Sequence, residues 1–449
     1  MRLSLLVIII CLLPVRLACG LDETEIGTPH QSVVVSAWDG ENSGGPLFPV
    51  IQEVQPAVLE PCVDLPSVSN ANQGPQRFQY GMTASVQFDA IHDFQSLGLS
   101  PDSGVIREFI TAEIPLPGTP AADRDGRFAF SPNQSVMRAW AETPTSLGRL
   151  RGQMQANLAK SETETEFQFY KIWGELGGLK AGFDYTLYFN QMTAPNTLDF
   201  EGPNSIPYVR FPQISWTTSL RGSDERSLLI GLEDAPPEFT LPVSRPTVRA
   251  ENRFPSLIAK CIYSPEWAHV EIAGLYRHLE ARGNGYQSDV DGWGVSVSGY
   301  FRMWGKDNLI LGSQFGQAIG TYSQDTSGFG LDAAPRSATD SQLQAIPAGG
   351  LWAAYEHWWT SSTRSNFVYG LWSLDNEFDV TPNPVGTYRR AQYVAVNLIW
   401  SPISDVDMGV EYLWGQREVV PATAVAGNVL GIDNRIQVTV RWNFQYGSP

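Results

Sequence analysis

The side chains of this chain that could do chemistry are charged residues that recur at every second position of strand-like segments. A strand turns successive side chains to opposite faces, so these charges share one polar face. Rings of charge on the wall of a pore sort solutes without any covalent step. The predicted pore-lining residues are Arg138, Arg149, Arg151, Lys180, Asp184, Arg210, Lys260, Arg277, Arg302, Glu411, Arg435 and Arg441. The same face also takes Arg417, Asp89, Glu271 and Asp407, which leaves the predicted inner wall biased positive.

Covalent catalysis is not indicated by any motif in the chain. Its five histidines occur in no HExxH pattern, and no serine lies in a nucleophile elbow. The stretch GENSGGP at 40–46 resembles the nucleophile segment of chymotrypsin-like proteases. Such a protease needs its histidine and its aspartate upstream, whereas only His30 and a short mature segment precede Ser43. The aspartates of DVDG (289–292) are a turn signal rather than a Ca²⁺ site. We expect no enzymatic activity, no metal and no cofactor.

The elements that would position these charges are strands of alternating polarity. The last of them, residues 436–446, has large apolar side chains at every second position and polar ones between them. Similar segments occur at 148–158, 179–189, 293–303 and 406–417. One apolar and one polar face per strand is typical of a transmembrane β-barrel, in which the apolar face meets lipid and the polar face lines the lumen.

The connections between these segments alternate in length. Short turns are predicted at 143–148, 177–178, 221–226, 264–267, 305–307, 360–364 and 401–405. Longer polar loops are predicted at 94–126, 159–165, 190–206, 236–255, 281–291, 319–347, 378–387 and 418–431. Eight loops and seven turns predict an all-β, transmembrane antiparallel barrel of about 16 strands. Trp267, Trp304 and Trp400 lie beside turns, where an aromatic belt at the membrane surface would place them.

The N-terminus has the pattern of an export signal. A basic start precedes the apolar run 3–13, and the stretch ends at Ala18, Cys19 and Gly20, which predicts a signal peptide over residues 1–20. Residues 21–75 are expected to be extended and irregular, and residues 76–449 to form the barrel. The formal charge of −17 argues against nucleic acid as a partner.

Two cysteines lie beyond the predicted signal peptide, Cys62 and Cys261. Two cysteines in so long a chain are not a disulfide framework. We expect Cys261 to be a small buried or lipid-facing residue, with a disulfide or a reactive thiol as the alternatives.

From about Tyr80 to Phe444 the sequence resembles the DcaP-like outer-membrane porins. The resemblance rests on long segments in the family's order, which are YGMTASVQFDAIHD (80–93), AETPTSLGRLRGQ (141–153), YKIWGELGGLKAGFDYTLYF (170–189), TLDFEGPNSIPYVRFPQISWTT (197–218), YEHWWTSSTRSNFVYG (355–370) and VNLIWSPISDVDMGVEYLWGQRE (396–418). It implies a trimeric, sixteen-stranded outer-membrane porin whose third long loop folds inward and narrows the lumen. It also implies passive diffusion of small hydrophilic, anionic solutes such as dicarboxylic acids. Tyr170 departs from the family pattern, which has an arginine there, and so do Ser135 and Val136.

On this resemblance, segment 190–206 is the constriction loop, with Asn196, Asp199, Glu201 and Asn204 as its candidate residues. Asp199 and Glu201, opposite the arginines, would set up a transverse field across the lumen. The expected partners are outer-membrane lipid, small anionic solutes and further copies of the chain in a homotrimer.

Two alternatives stay open at this point. The charged residues could be strand-end or interstrand ion pairs with no effect on selectivity. The chain could also be a secreted or outer-membrane β-rich binding or adhesion protein.

Overall fold

The computed structural model of this protein describes the greater part of the predicted barrel. The described residues are 78–95, 108–119, 122, 126–160, 165–220, 222–240, 248–283, 285–335, 342–375, 387–420 and 429–447. The predicted signal peptide, the segment 21–75 and Cys62 lie outside these ranges.

The described chain consists of strands with short 3₁₀ turns between some of them. The strands are β1 Gln79–Asp93, β2 Arg127–Ser131, β3 Val136–Thr145, β4 Gly148–Lys160, β5 Thr165–Leu176, β6 Leu179–Tyr185, β7 Arg210–Leu220, β8 Ser223–Glu233, β9 Arg249–Glu251, β10 Ser256–Tyr263, β11 Ala268–Gly283, β12 Tyr286–Arg302, β13 Asn308–Gln317, β14 Ala333–Pro335, β15 Leu343–Ala345, β16 Pro347–Trp358, β17 Thr363–Leu374, β18 Thr387–Ile403, β19 Val406–Val420 and β20 Val429–Gly447. The 3₁₀ turns are Thr111–Glu113, Gln191–Thr193 and Gly320–Tyr322. Within the described ranges, no helix is long and apolar enough to cross a membrane.

The described strands form one closed antiparallel sheet of eighteen strands. β1 closes it, because β1 pairs with β20 on one side, from Gly81↔Gly447 to Asp93↔Arg435, and with β2 and β3 on the other. β2 and β3 are successive pieces of one wall strand, and so are β9 and β10, which leaves sixteen positions around the wall. β14 and β15 form a separate hairpin between β13 and β16. The prediction of an antiparallel barrel of about 16 strands is confirmed.

The two faces of the wall differ in polarity. On β20, Val438 and Trp442 point outward and are exposed, whereas Gln437 and Thr439 point inward and are buried. Large apolar side chains are exposed in the same way on strands all around the sheet. An apolar outer surface suits lipid, so this alternation sends polar and charged side chains to the lumen.

Several connections are shorter than the sequence predicts. Residues 281–283 and 286–291 belong to strands, because β11 and β12 continue to the pair Gly283↔Tyr286, with Gly285 at a positive φ in the turn. The ends of the predicted loops 159–165 and 418–431 also belong to strands, because β4 continues to Lys160 and β19 to Val420, and β5 begins at Thr165 and β20 at Val429. Asp289 and Asp291 on β12 are exposed, so the outer face of this strand end is polar. The alternation of apolar and polar residues that marks a strand in the sequence is therefore missing here. Strand ends beyond the apolar band need none.

The connection between β5 and β6 is predicted correctly, whereas the end of β6 is not. Gly177 and Gly178 have φ of 56° and 96°, as a two-residue hairpin turn with two positive φ angles requires. The predicted strand 179–189 ends at Tyr185, and residues 186–189 leave the wall. The alternation of apolar residues there continues into a loop, which periodicity alone cannot distinguish from a strand.

Cys261 on β10 is disulfide-bonded, and every other cysteine of the chain lies outside the described residues. The expectation of a lone apolar residue is therefore wrong. Pairing over a long stretch of sequence leaves no local pattern by which it could be recognised.

The polarity of the wall can be tested at two adjacent residues of β4. Met154 points outward and is 47% exposed, whereas Gln153 points inward. We expect Met154→Arg to lower the free energy of unfolding by ~2–4 kcal/mol, since it places a guanidinium on the apolar outer surface of the wall near the middle of the strand. Gln153→Arg should change it by less than ~0.5 kcal/mol. Denaturant unfolding in lipid vesicles measures both, and equal effects would contradict the assignment of faces.

Candidate channel lining

One sector of the inner wall, formed by β3 to β7, carries five of the predicted pore-lining cations. On β4, Arg149 Nη1 lies 3.5 Å and Arg151 Nε 3.1 Å from the two carboxylate oxygens of Glu142 on β3. Arg138 Nη2 donates to Gln155 Oε1 at 3.1 Å. These contacts follow from the register, which sets Glu142 opposite Arg151 and Arg138 opposite Gln155.

The next inward charges of this sector surround one carboxylate. Lys180 Nζ lies 2.6 Å from Asp184 Oδ2, and Lys171 Nζ lies 3.8 Å from Asp184 Oδ1. Lys180 also lies over the ring of Trp173, 4.2 Å from its centroid. Two ammonium groups therefore share a single buried aspartate.

A bulge in β5 adds an aromatic ring to this wall. The register between β4 and β5 shifts by one residue, so that Tyr170 and Lys171 are both buried and point inward. The guanidinium carbon of Arg210 lies 3.1 Å from the centroid of the Tyr170 ring. Tyr170, which departs from the family pattern, thus packs directly against one of the predicted cations.

A cavity of about 140 Å³ opens beside these residues. Its lining has charged groups and rings, from Arg151, Glu175, Lys180, Asp184 and Lys260 and from Tyr185 and Phe189. The mixture of cations with polar and apolar surface suits a small hydrophilic solute better than a purely apolar one.

The remaining predicted cations of the central strands lie in different surroundings. Lys260 Nζ is 2.7 Å from Glu271 Oε2, and both side chains are buried. Arg277 Nη1 is 2.9 Å from Asp332 Oδ2 and is also buried. Arg302 is exposed at the end of β12. The first two are neutralised within the protein, whereas Arg302 lies at the rim.

The last strand places Arg435 and Arg441 inward. Arg435 is fully buried, with Nε 2.5 Å from Asp93 Oδ1, and Arg441 Nε donates to Gln87 Oε1 at 2.7 Å. Arg417 on β19 donates to the carbonyl of Ile114 at 3.3 Å. These arginines hold neighbouring strands and loop backbone.

Loop 3, residues 186–209 between β6 and β7, bonds to inward side chains on other strands. Asn196 Nδ2 donates to Glu356 Oε2 of β16 at 3.0 Å, and Asn397 Nδ2 of β18 donates to the Asn196 carbonyl at 2.9 Å. The carboxylate of Glu411 on β19 accepts from the backbone amides of Leu198 and Asp199 at 2.9 and 2.7 Å. Glu411 is therefore an anchor for the loop backbone.

The other candidate residues of loop 3 are buried. Asp199 accepts from the Phe109 amide at 3.0 Å and from the Tyr393 hydroxyl at 3.1 Å. Asn204 Nδ2 donates to Thr111 Oγ1 at 3.1 Å. Oε1 of the buried Glu201 has no hydrogen-bond partner among the described residues.

Burial changes the protonation of the two loop carboxyls. Desolvation raises the pKa of Asp199 to about 6, although Arg435 and several hydrogen bonds oppose the change. Desolvation, together with Glu108 and Asp199, raises the pKa of Glu201 well above its ordinary value. The negative charge of loop 3 therefore grows as the pH rises through 6.

Sequence reasoning missed several inward carboxylates, including Asp93 and Glu142. Among the charged residues that the structure describes as buried, carboxylates outnumber cations. Asp93 is an even number of residues from Asp89, and Glu142 is an even number from Arg138, so each lies on the same strand face as a residue that is predicted to point inward. Extending the alternation by a few positions along each strand would have found both. Many buried cations are thus neutralised locally, and the cations with access to water are the ones that a passing solute can contact.

Comparison with known proteins decides the family. The family model described as DcaP outer membrane protein matches residues 76–444. This chain belongs to the DcaP outer membrane protein family. DcaP membership confirms the resemblance and places the protein in the outer membrane as a channel of the porin type.

Solved structures share the DcaP fold. The outer membrane channel DcaP of Acinetobacter baumannii is 16% identical, with 82% of this chain and 97% of that one covered, at a TM-score of 0.67. An anion-selective porin from Comamonas acidovorans is 11% identical, with 82% and 100% covered, at a TM-score of 0.52. Both likenesses concern the fold. No curated protein matches the sequence.

The raised pKa of Asp199 predicts a pH-dependent ion preference. As the pH rises from about 4.5 to about 7.5, Asp199 changes from neutral to anionic, so the preference for anions over cations should weaken. Asp199→Asn stays neutral and should show a smaller change. Reversal potentials under a salt gradient measure this, and identical pH profiles of the two proteins would rule out a contribution from Asp199.

Proposed function

We propose that this protein is a homotrimeric porin through which small hydrophilic, mainly anionic solutes diffuse across the outer membrane, without covalent chemistry. Family membership establishes the channel, and the charge of the lumen supports the preference for anions. A pore of this kind selects by width and by the charges that a passing solute meets.

The observation that carries the anion preference is the unequal exposure of ion-pair partners in the β3–β7 sector. The side chains of Arg149 and Arg151 are 32% and 20% exposed, against 17% for Glu142. Lys180 is 22% exposed, against 4% for Asp184. In each pair the cation is the more exposed partner, by the widest margin at Lys180 and by the narrowest at Arg151. A solute that passes this sector therefore meets positive charge, although the pairs are close to neutral.

Loop 3 supports a narrow and polarised passage. Its bonds to β16, β18 and β19 hold it across the inner wall, and it carries Asp199 and Glu201. The partly exposed cations Arg149, Arg151 and Lys180 belong to the β3–β7 sector, and the loop carboxyls are held by the other strands. A field between the two would orient dipolar solutes as they enter the constriction.

The outer face of β1, β2 and β5 supports association of identical chains. Phe88 and Phe130 stack there with ring centroids 5.4 Å apart, and Phe167 and Phe169 are exposed. Such rings pack well against the rings of a second barrel. We assign this aromatic sector to the contact between protomers.

Planar-bilayer recording of refolded protein tests the function as a whole. We expect conductance steps in groups of three and a reversal potential of anionic sign under a salt gradient. Single steps would contradict the trimer, a cationic sign would contradict the charge assignment, and a folded barrel without conductance would contradict the diffusion function.

The β3–β7 cations can be tested together. The triple variant Arg149→Gln, Arg151→Gln and Arg210→Gln should lower the anion-to-cation permeability ratio roughly twofold, because it removes the positive charge that solutes meet. A matched control neutralises three exposed cations outside this sector, Arg226, Arg249 and Lys306. If both triple variants shift the reversal potential equally, the sector has no special role.

A further inference from the structure

Loop 3 is not alone in the lumen. A piece of the first long loop, residues 108–119, is here called segment 1, and its Phe109, Thr111, Ala112 and Ile114 have no exposed surface. Much of the described part of loop 6, which is residues 318–335 and 342–346 between β13 and β16, is buried as well, with Tyr322 and Asp325 at 0% exposure. Full burial of loop residues beside a polar inner wall requires that they pack against that wall and against one another.

One carboxylate ties segment 1 to loop 6 and to the wall. Asp325 Oδ1 accepts from Thr111 Oγ1 at 2.7 Å and from the Ala112 amide at 2.9 Å. Asp325 Oδ2 accepts from the hydroxyl of Tyr388, on β18, at 2.8 Å. Hydrogen bonds to a buried carboxylate are stronger than neutral ones, so this residue is the strongest link of the group.

Loop 3 joins the same group through Asn204. The side-chain Nδ2 of Asn204 donates to Thr111 Oγ1 at 3.1 Å. The backbone carbonyl of Asn204 accepts from Ser323 Oγ of loop 6 at 2.8 Å. Thr111 therefore bonds to loop 6 as a donor and to loop 3 as an acceptor. The three loops are held by one connected set of buried hydrogen bonds.

Two glycines on the inner wall leave room for segment 1. A Cβ on Gly415 of β19 would lie 2.7 Å from side-chain atoms of Ile114 and Phe109. A Cβ on Gly431 of β20 would lie 2.4 Å from the Pro115 carbonyl oxygen. Both glycines are at inward positions, so the lack of a side chain there makes room for segment 1. This observation is independent of the hydrogen bonds.

We propose that segment 1 forms part of the channel constriction and that Asp325 is the positioning residue that holds it there. Channel width is then set by segment 1, loop 3 and loop 6 together, rather than by loop 3 alone. This inference goes beyond the proposed anion preference and does not depend on the sign of the selectivity.

Substitution of Asp325 tests whether this residue sets the width of the channel. Asp325→Ala removes all three acceptor bonds, and single-channel conductance should rise roughly twofold as segment 1 leaves the constriction. Asp325→Asn keeps an acceptor oxygen toward Thr111 and Ala112 and should stay near wild type. Thr111→Val should act like Asp325→Ala. Thr119→Val is the matched control, because the Thr119 hydroxyl donates to the carbonyl of Leu116 within segment 1 and does not bond to loop 3 or loop 6 in the described part of the chain.

A second variant removes the space for segment 1 on the wall and leaves the hydrogen bonds of Asp325 intact. Gly431→Val places a side chain where the Pro115 carbonyl lies and should raise conductance in the same direction. If Asp325→Ala and Gly431→Val both fold, as heat-modifiable gel mobility reports, and both conduct like wild type, the proposal is wrong.

Thiol labelling locates segment 1 without any measurement of conductance. In an Ala112→Cys protein a membrane-impermeant thiol reagent should react slowly, because Ala112 is fully buried, and adding Asp325→Ala should speed the reaction at least tenfold. Ala354→Cys, at a buried position on β16, is the control for general loosening. Equal acceleration at both sites, or at neither, would overturn the positioning role of Asp325.

Discussion

The closure of the sheet between β1 and β20 is the constraint on which the rest of the structure depends. In lipid no water is present to satisfy a strand edge, so the last strand must pair with the first. The thirteen residue pairs from Gly81↔Gly447 to Asp93↔Arg435 exceed the ~9–11 residues that a strand needs to cross the bilayer. Because this seam joins the two ends of the barrel sequence, all the other strands must pair in order between them.

Closure in lipid also decides where charge can lie. The outer face takes apolar side chains, and the charged side chains of the strands are confined to a narrow interior in which an unpaired charge is costly. The result is a set of buried ion pairs, Arg277 with Asp332, Arg435 with Asp93 and Lys260 with Glu271. The β3–β7 sector is different, because Arg149, Arg151 and Lys180 keep contact with water, and that difference separates structural ion pairs from charges that solutes can meet.

The space inside the wall is filled partly by chain. Loop 3, segment 1 and loop 6 bring apolar side chains such as Phe109, Tyr322 and Ile319 into buried clusters with the inner wall. Glycines on the wall make room for them, and carboxylates such as Glu411 and Asp325 hold their backbones. The space inside the wall therefore has a hydrophobic core of its own, made by these loops and the inner wall.

The sequence by itself determined the fold class, the strand number, the face of each strand and the tight Gly177–Gly178 turn, because these follow from local alternation and local backbone freedom. It also indicated the inward side of most of the charges that are predicted to line the pore, since parity along a strand fixes their side. Only the tertiary structure decided which charge meets which. Arg435 and Asp93 are 342 residues apart, and Asp325 and Thr111 are 214 apart. Such contacts depend on strand register and on loops that fold back into the barrel. Short-range sequence patterns predict neither of these.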